Sequence, residues 1–161
     1  MRRSTDSKWA ASLTVTAMSI LGVASSLQAD VYYEVGPGHT YATIQDALNA
    51  TPGATGTPIP FTESHIINVH AGTYAGFNTD LYSRLSGKPS RTTQDNRLII
   101  QAVPGEEVVV NGPSYIRESH VTIQGLKFTG ITGNPNGYYV NLNYYNEGRG
   151  GLILYNNEFV G

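Results

Sequence analysis

Four basic side chains lie close together in the sequence and are the first candidates for binding a negatively charged ligand. They are Arg84, Lys88, Arg91 and Arg97. Guanidinium and ammonium groups pair with carboxylates and sulfates, so Arg84, Lys88 and Arg91 are candidate contacts for an anionic sugar chain. The alternative is a solvated loop in which Asp80 and Asp95 neutralise these charges.

A second candidate is the tyrosine- and asparagine-rich segment 137–146, GYYVNLNYYN. If Val140 and Leu142 face inward on a strand, the alternating side chains face outward. These outward residues are Tyr139, Asn141, Asn143 and Tyr145. Tyrosine rings stack on sugar faces and amides bind hydroxyls, which predicts a carbohydrate subsite. The alternative is a polar row that only solvates the strand.

Other reactive patterns are weak or missing in the sequence. The four histidines, at 39, 65, 70 and 120, lack the i, i+4 or HxH spacing of a zinc site, and the acidic residues do not form a dense calcium loop. The sequence therefore predicts no metal site, although strand stacking could assemble one from distant residues. The absence of cysteine excludes thiolate ligands, thiol nucleophiles and disulfides. No residue is assigned as catalytic.

The first 29 residues have the pattern of a signal peptide. Arg2, Arg3 and Lys8 precede the largely apolar segment 9–23, and Ala29 fits the cleavage position. An uncleaved membrane anchor is the alternative, but serines and threonines interrupt the short apolar run. The sequence predicts export to the cell surface, the periplasm or the medium, with residues 30–161 as the mature chain.

The charge of the mature chain limits its partners. Residues 30–161 contain 7 Lys+Arg and 11 Asp+Glu, a net charge of −4. Because nucleic-acid binding depends on positive charge, nucleic acid is an unsuitable partner. After removal of the leader, we expect neither membrane association nor a partner protein.

The elements that would position these residues begin with a strand and a helix. Residues 31–35 alternate as a strand does, and residues 43–50 have a helical apolar face. Thr43 is a suitable N-cap, with Asp46 three positions later. Pro52 and Gly53 end the helix.

Downstream of residue 64 the sequence repeats a strand pattern. Four short apolar runs start at Ile67, Leu98, Val121 and Leu152, at intervals of 31, 23 and 31 residues. In the last two units Gly125 and Asn156 follow the strand, which predicts a turn with positive φ at the same place in each. Repeats of this length predict stacked units, and we expect a right-handed parallel β-helix with about three strands per coil. An antiparallel sandwich is the alternative.

Five segments resemble the right-handed parallel β-helix proteins of the pectin-lyase-like superfamily. They read TYATIQDALNA, HIINVHAGTYAG, RLIIQAVPGEEVVVNG, SYIRESHVTIQGLKFTG and LILYNNEFVG. The resemblance implies a helix that caps the first coil, at about residues 43–50, and coils from about residue 64. Within the superfamily the chain is similar to the N-terminal coils of secreted polysaccharide lyases of the alginate and chondroitin type, and equally to uncharacterised β-helix proteins.

The resemblance implies a function on acidic polysaccharide. Lyases of this kind cleave uronate-containing glycans by β-elimination, in which a base removes the proton beside the carboxylate and a positive group stabilises the charge. The resemblance also makes calcium a possible cofactor, although the sequence shows no site for it. We expect the catalytic coils to lie mostly beyond residue 161, in a stack that is incomplete and open at its C-terminal end. The alternative is a non-catalytic glycan-binding, structural or adhesive surface protein.

Overall fold

The described part of the chain is mostly β, with two main parallel sheets, one further two-stranded pair and one short helix. The computed structural model describes residues 29–54, 57, 59–79, 91–130, 140–141 and 150–160, with only the backbone at 140–141. The elements are β1 (Val31–Val35), α1 (Ile44–Ala50), β2 (His65–Val69), β3 (Gly72–Ala75), β4 (Leu98–Ala102), β5 (Val108–Asn111), β6 (Ser114–Tyr115), β7 (Val121–Gln124), β8 (Leu126–Thr129), β9 (Val140–Asn141), β10 (Ile153–Tyr155) and β11 (Glu158–Phe159).

Sheet 1 contains five parallel strands in the order β1-β2-β4-β7-β10. The predicted apolar runs lie side by side in register, so that Ile67 is beside Ile100, Ile100 beside Ile123 and Ile123 beside Leu154. The three isoleucines have no exposed surface. Burial of one such side chain contributes roughly 1.5–3 kcal/mol, so this column holds the strands together. The prediction of four repeated strands is confirmed.

Sheet 2 contains four parallel strands in the order β11-β8-β5-β3. Its core column includes Val110 and Phe128, which are adjacent in register and fully buried. The chain passes from β7 to β8 through Gly125 and from β10 to β11 through Asn156, with φ of 72° and 54°. Glycine and asparagine adopt this left-handed conformation with the least steric penalty. The predicted recurring turn is confirmed.

The predicted helix is also confirmed, as α1. Thr43 is its N-cap, and its hydroxyl accepts a hydrogen bond from the backbone N–H of Asp46 at 3.1 Å. Ile44, Ala47 and Leu48 form the buried face. This face belongs to the same apolar core as the inward side chains of β1 and β2.

The prediction of a right-handed parallel β-helix is wrong. The described strands form two separate parallel sheets that are not solenoidal. Within the described residues, the expected third strand of each coil is represented only by the two-residue strands β6 and β9, which pair with each other. The physical reason is that the repeated unit contains two apolar strands and one turn, which is sufficient for two sheets. The antiparallel sandwich is wrong too, because every strand pairing in the described part of the chain is parallel.

The expectation of an incomplete coil stack, open at its C-terminal end, is also wrong, because it assumed a β-helix. The structure shows instead that β10 and β11 are edge strands of the two sheets. Their side chains are exposed, including Leu154 and Phe159 at 43% and 47%. The predicted signal peptide lies almost entirely outside the described residues. Within the described ranges, no helix has both the length and the apolar character needed to cross a membrane.

Candidate functional site

Two histidines and two glutamates meet where β1 and β2 end. These strands pair in parallel with Val35 beside Val69, so Glu34 and His70 lie at the same end of sheet 1. His39 reaches this end from the turn after β1, and Glu106 from the turn between β4 and β5. We call Glu34, His39, His70 and Glu106 the histidine corner.

His70 lies between two carboxylates. Its Nε2 is 3.0 Å from Glu34 Oε2, and its Nδ1 is 3.2 Å from Glu106 Oε1. The hydrogen bond to Glu34, assisted by that to Glu106, raises the pKa of the imidazole above its usual value. Glu106 also accepts a hydrogen bond from the Ala71 N–H, and this bond, with the one to His70, lowers the pKa of its carboxyl. The imidazole is therefore fixed on both sides in the plane of its ring.

His39 covers one face of that ring. The two imidazoles are stacked, with centroids 3.7 Å apart and an angle of 7° between the rings. His39 is exposed and lines an open groove of about 410 Å³ between the 36–43 segment and β3. On the opposite wall Tyr74 donates a hydrogen bond to the His70 carbonyl at 2.8 Å, and burial raises the pKa of its phenol.

The histidine corner contains a set of groups suited to holding a metal ion. Glu34, His39 and His70 each offer one ligand atom, and these three atoms lie within 4.8 Å of one another. Imidazole nitrogens and carboxylate oxygens are zinc ligands. Sequence spacing does not group these residues, because they are 5 and 31 positions apart. The signal that could have found them is the β1–β2 register, which follows from aligning the two strands.

A row of polar side chains crosses the outer face of sheet 1 and ends at this corner. In register from strand to strand it consists of Glu34, Asn68, Gln101, Gln124 and Tyr155. Gln101 Nε2 donates to Asn68 Oδ1 at 2.9 Å, and Asn68 Nδ2 donates to Glu34 Oε1 at 2.8 Å. Tyr155 is 57% exposed. We call these five residues the outer row.

Arg91 is the predicted binding residue whose side chain the structure describes, and it is buried. Its Nε and Nη2 donate to the Glu118 carboxylate at 2.7 and 2.8 Å, and its Nη1 donates to Thr51 Oγ1 at 2.8 Å. The guanidinium also lies over the Phe61 ring. These contacts join three segments of the chain and use all three guanidinium nitrogens, so the Arg91 side chain is held in the interior. Its near neighbour Arg97 likewise bonds Thr122 across sheet 1.

The remaining predicted site residues are not brought to the corner or to the outer row by anything that the structure describes. Arg84, Lys88, Tyr139, Asn143 and Tyr145 lie outside the described residues. The backbone of Asn141 belongs to β9, beside Tyr115 of β6. Their predicted contacts with a glycan stay predictions.

Comparison with known proteins adds no relative. The resemblance drawn from sequence motifs, and the activity that it implies, therefore stay predictions. No protein-family model, no curated protein and no solved structure matches this chain.

Proposed function

We propose that this chain is an exported protein that binds an acidic polysaccharide along the outer row and cleaves it by β-elimination. The observation that carries the proposal is the row itself. Five strands about 4.8 Å apart give it a length of about 19 Å, which exceeds the width of one sugar ring. A polar row of this length suits an extended chain rather than a small molecule.

The chemistry of the row suits sugar hydroxyls. Within the row Asn68 uses both of its amide atoms, each in one hydrogen bond, whereas Gln101 uses only its Nε2. An amide nitrogen has a second N–H and an amide oxygen a second lone pair, so both side chains keep hydrogen-bonding capacity for a ligand. Hydrogen bonding along the row fixes the amide orientation before binding, which reduces the entropy cost of ordering them. Tyr155 offers an exposed ring at the far end of the row, and aromatic rings stack on the apolar faces of sugars.

The acidic nature of the glycan is supported by other observations. It rests on the resemblance to lyases of uronate-containing chains and on the cationic residues Arg84 and Lys88, which lie outside the described residues. The base of the elimination is not assigned to any described residue. In that reaction the base takes the proton beside the carboxylate, the electron pair forms a carbon–carbon double bond, and the glycosidic C–O bond breaks.

Affinity electrophoresis tests the binding proposal. The full chain should be retarded in gels that contain alginate, pectate or chondroitin sulfate, and less so in neutral dextran. The double variant Gln101→Ala, Gln124→Ala should bind about 30-fold more weakly, because each lost amide removes hydrogen bonds worth about 1 kcal/mol and every 1.4 kcal/mol is tenfold in affinity. Gln94→Ala is the matched control, since Gln94 is an exposed amide outside the row. Equal retardation of all three proteins, or none in any gel, would refute the proposal.

A measurement of ultraviolet absorbance distinguishes a lyase from a protein that only binds the glycan. β-Elimination leaves an unsaturated uronate, so absorbance should rise when the wild-type chain is mixed with its acidic substrate. Retardation without a rise in absorbance identifies the non-catalytic glycan-binding alternative.

A further inference from the structure

We propose that Glu34, His39 and His70 bind a divalent transition-metal ion, with Zn²⁺ the best match. The distance between two of the ligand atoms fits. His70 Nε2 and Glu34 Oε2 are 3.0 Å apart. Two ligands that each lie about 2.0–2.2 Å from one tetrahedral ion are separated by about 3.3–3.6 Å, so the two atoms need to move apart by only a few tenths of an ångström to bind the same ion.

Each of these two ligand residues has a second hydrogen-bond partner that orients its side chain. Glu106 lies 3.2 Å from Nδ1 of His70, on the opposite side of the ring from Nε2. A carboxylate on the second ring nitrogen is the arrangement that orients metal-binding histidines in proteins. Asn68 donates to the other oxygen of the Glu34 carboxylate, so Oε2 is directed toward His70. These two contacts orient the ligand atoms of His70 and Glu34, as outer partners do at metal sites in proteins.

His39 supplies the third ligand. Its ring is stacked on His70, so it must rotate out of the stack to direct a nitrogen at the ion. The residue is exposed on a turn after β1, where its N–H donates to the Gly36 carbonyl at 3.0 Å. Rotation of an exposed side chain on a turn requires no repacking of the core. Glu34 and Glu106 together carry two negative charges, which an ion of charge +2 balances.

The ligand set selects the class of metal. Two imidazoles and one carboxylate favour zinc and the later first-row ions over calcium and magnesium, which prefer oxygen ligands. Three protein ligands leave a fourth position of a tetrahedral ion open. His39 lines the groove, so the open position is within reach of a water or an anionic ligand there. This site does not depend on the proposed glycan function.

Isothermal titration with ZnCl₂ tests the site on the full chain, purified without a histidine tag and freed of metal by chelation. The wild-type chain should bind one Zn²⁺. His39→Ala and Glu34→Gln should each weaken binding by at least about tenfold, and Glu106→Gln by about 10–100-fold, the usual effect of losing an outer carboxylate. Glu107→Gln is the matched control, because this neighbouring carboxylate is exposed and pairs with Lys127. Circular dichroism verifies that the variants fold.

A spectroscopic measurement checks the ligands directly. Co²⁺ in place of Zn²⁺ should give visible absorption bands with the wild-type chain, and His39→Ala should change or remove them. Two results would overturn the proposal. One is that no saturable zinc binding occurs, and the other is that neither His39→Ala nor Glu34→Gln alters the affinity.

Discussion

Arg91 and Glu118 form a buried, two-pronged ion pair that joins segments 27 residues apart. Nε and Nη2 of the arginine contact separate oxygens of the carboxylate, and the two side chains are 6% and 9% exposed. Removing one partner of such a pair leaves the other charge buried without compensation, which costs about 3–5 kcal/mol. We therefore expect Arg91→Ala and Glu118→Gln each to lower the free energy of unfolding by an amount in that range.

Urea unfolding followed by circular dichroism measures this loss. Lys127→Ala is the control, because Lys127 pairs at 3.5 and 3.6 Å with glutamates that are largely exposed. Exposed pairs contribute about 0–1 kcal/mol. The double variant Arg91→Met, Glu118→Leu should recover part of the loss, since no unpaired charge remains. A loss from Arg91→Ala no larger than that from Lys127→Ala would contradict the structural role given to Arg91.

The N-terminal segment predicts a cleaved precursor. Cleavage after Ala29 requires a small residue at that position, so the secreted product should begin at Asp30. N-terminal sequencing and mass spectrometry of the product from a bacterial host measure this directly. Ala29→Arg should leave the precursor uncut, whereas Asp30→Asn should be processed like the wild-type chain. A wild-type product that still begins at Met1 would favour the membrane-anchor alternative.

Asn157 connects the last two repeats at their turn. Its Oδ1 accepts from the Leu126 N–H at 3.0 Å, and its Nδ2 donates to the Ile123 carbonyl at 2.8 Å. Both bonds join one side chain to the backbone of the neighbouring unit. Asn157→Ala removes both and should cost about 1–3 kcal/mol.

Asn157→Asp separates the two bonds, because a carboxylate can still accept from Leu126 but cannot donate to Ile123. Its stability in thermal unfolding should fall between those of the wild type and Asn157→Ala. Asn156→Gly is the control on the adjacent turn residue, since the equivalent position already holds Gly125 and positive φ suits glycine. If Asn157→Ala and Asn156→Gly melt alike, the side chain does not hold the turn.

The sequence predicted those parts of the fold that depend on local order. Alternation located the strands around Ile67, Ile100 and Ile123, and the glycine or asparagine after a strand located the turns. Thr43 and Asp46 located the helix start. Each of these follows from residues within a few positions of one another, where side-chain period and backbone preference determine the outcome.

Contacts between residues that are distant in sequence could not be predicted from the sequence. The number of strands per repeated unit depends on the path of the segments that connect the strands, and the local strand pattern does not determine that path. The sequence therefore led to a coil of three strands, whereas the structure has two sheets. His39 and His70 meet only because β1 and β2 pair in parallel with one particular register. The burial of Arg91 could not be predicted either, because its partner Glu118 is distant in sequence and an arginine in a polar segment usually remains exposed to water.

The buried imidazole of His65 predicts a loss of stability in acid. Its Nδ1 lies 2.8 Å from the Tyr33 hydroxyl, and Phe61 packs against the ring. Burial lowers the pKa of this imidazole below its usual value, despite the opposing charge of Glu63. The unfolded chain therefore takes up a proton near pH 6.5, while the folded chain does so only at lower pH. Below about pH 6.5 protonation favours the unfolded state, so the stability contribution of neutral His65 is lost as the pH falls toward the folded-state pKa.

Comparison of the wild-type chain with His65→Gln isolates this effect in urea unfolding between pH 4.5 and 8. The comparison is needed because His70, whose pKa is raised, acts with the opposite sign and stabilises the folded state at low pH. Glutamine keeps a polar group near Tyr33 but binds no proton. The advantage of the wild type over His65→Gln should be constant above about pH 7.5 and shrink below about pH 6.5. A difference independent of pH would mean that His65 takes up its proton equally in the folded and unfolded states.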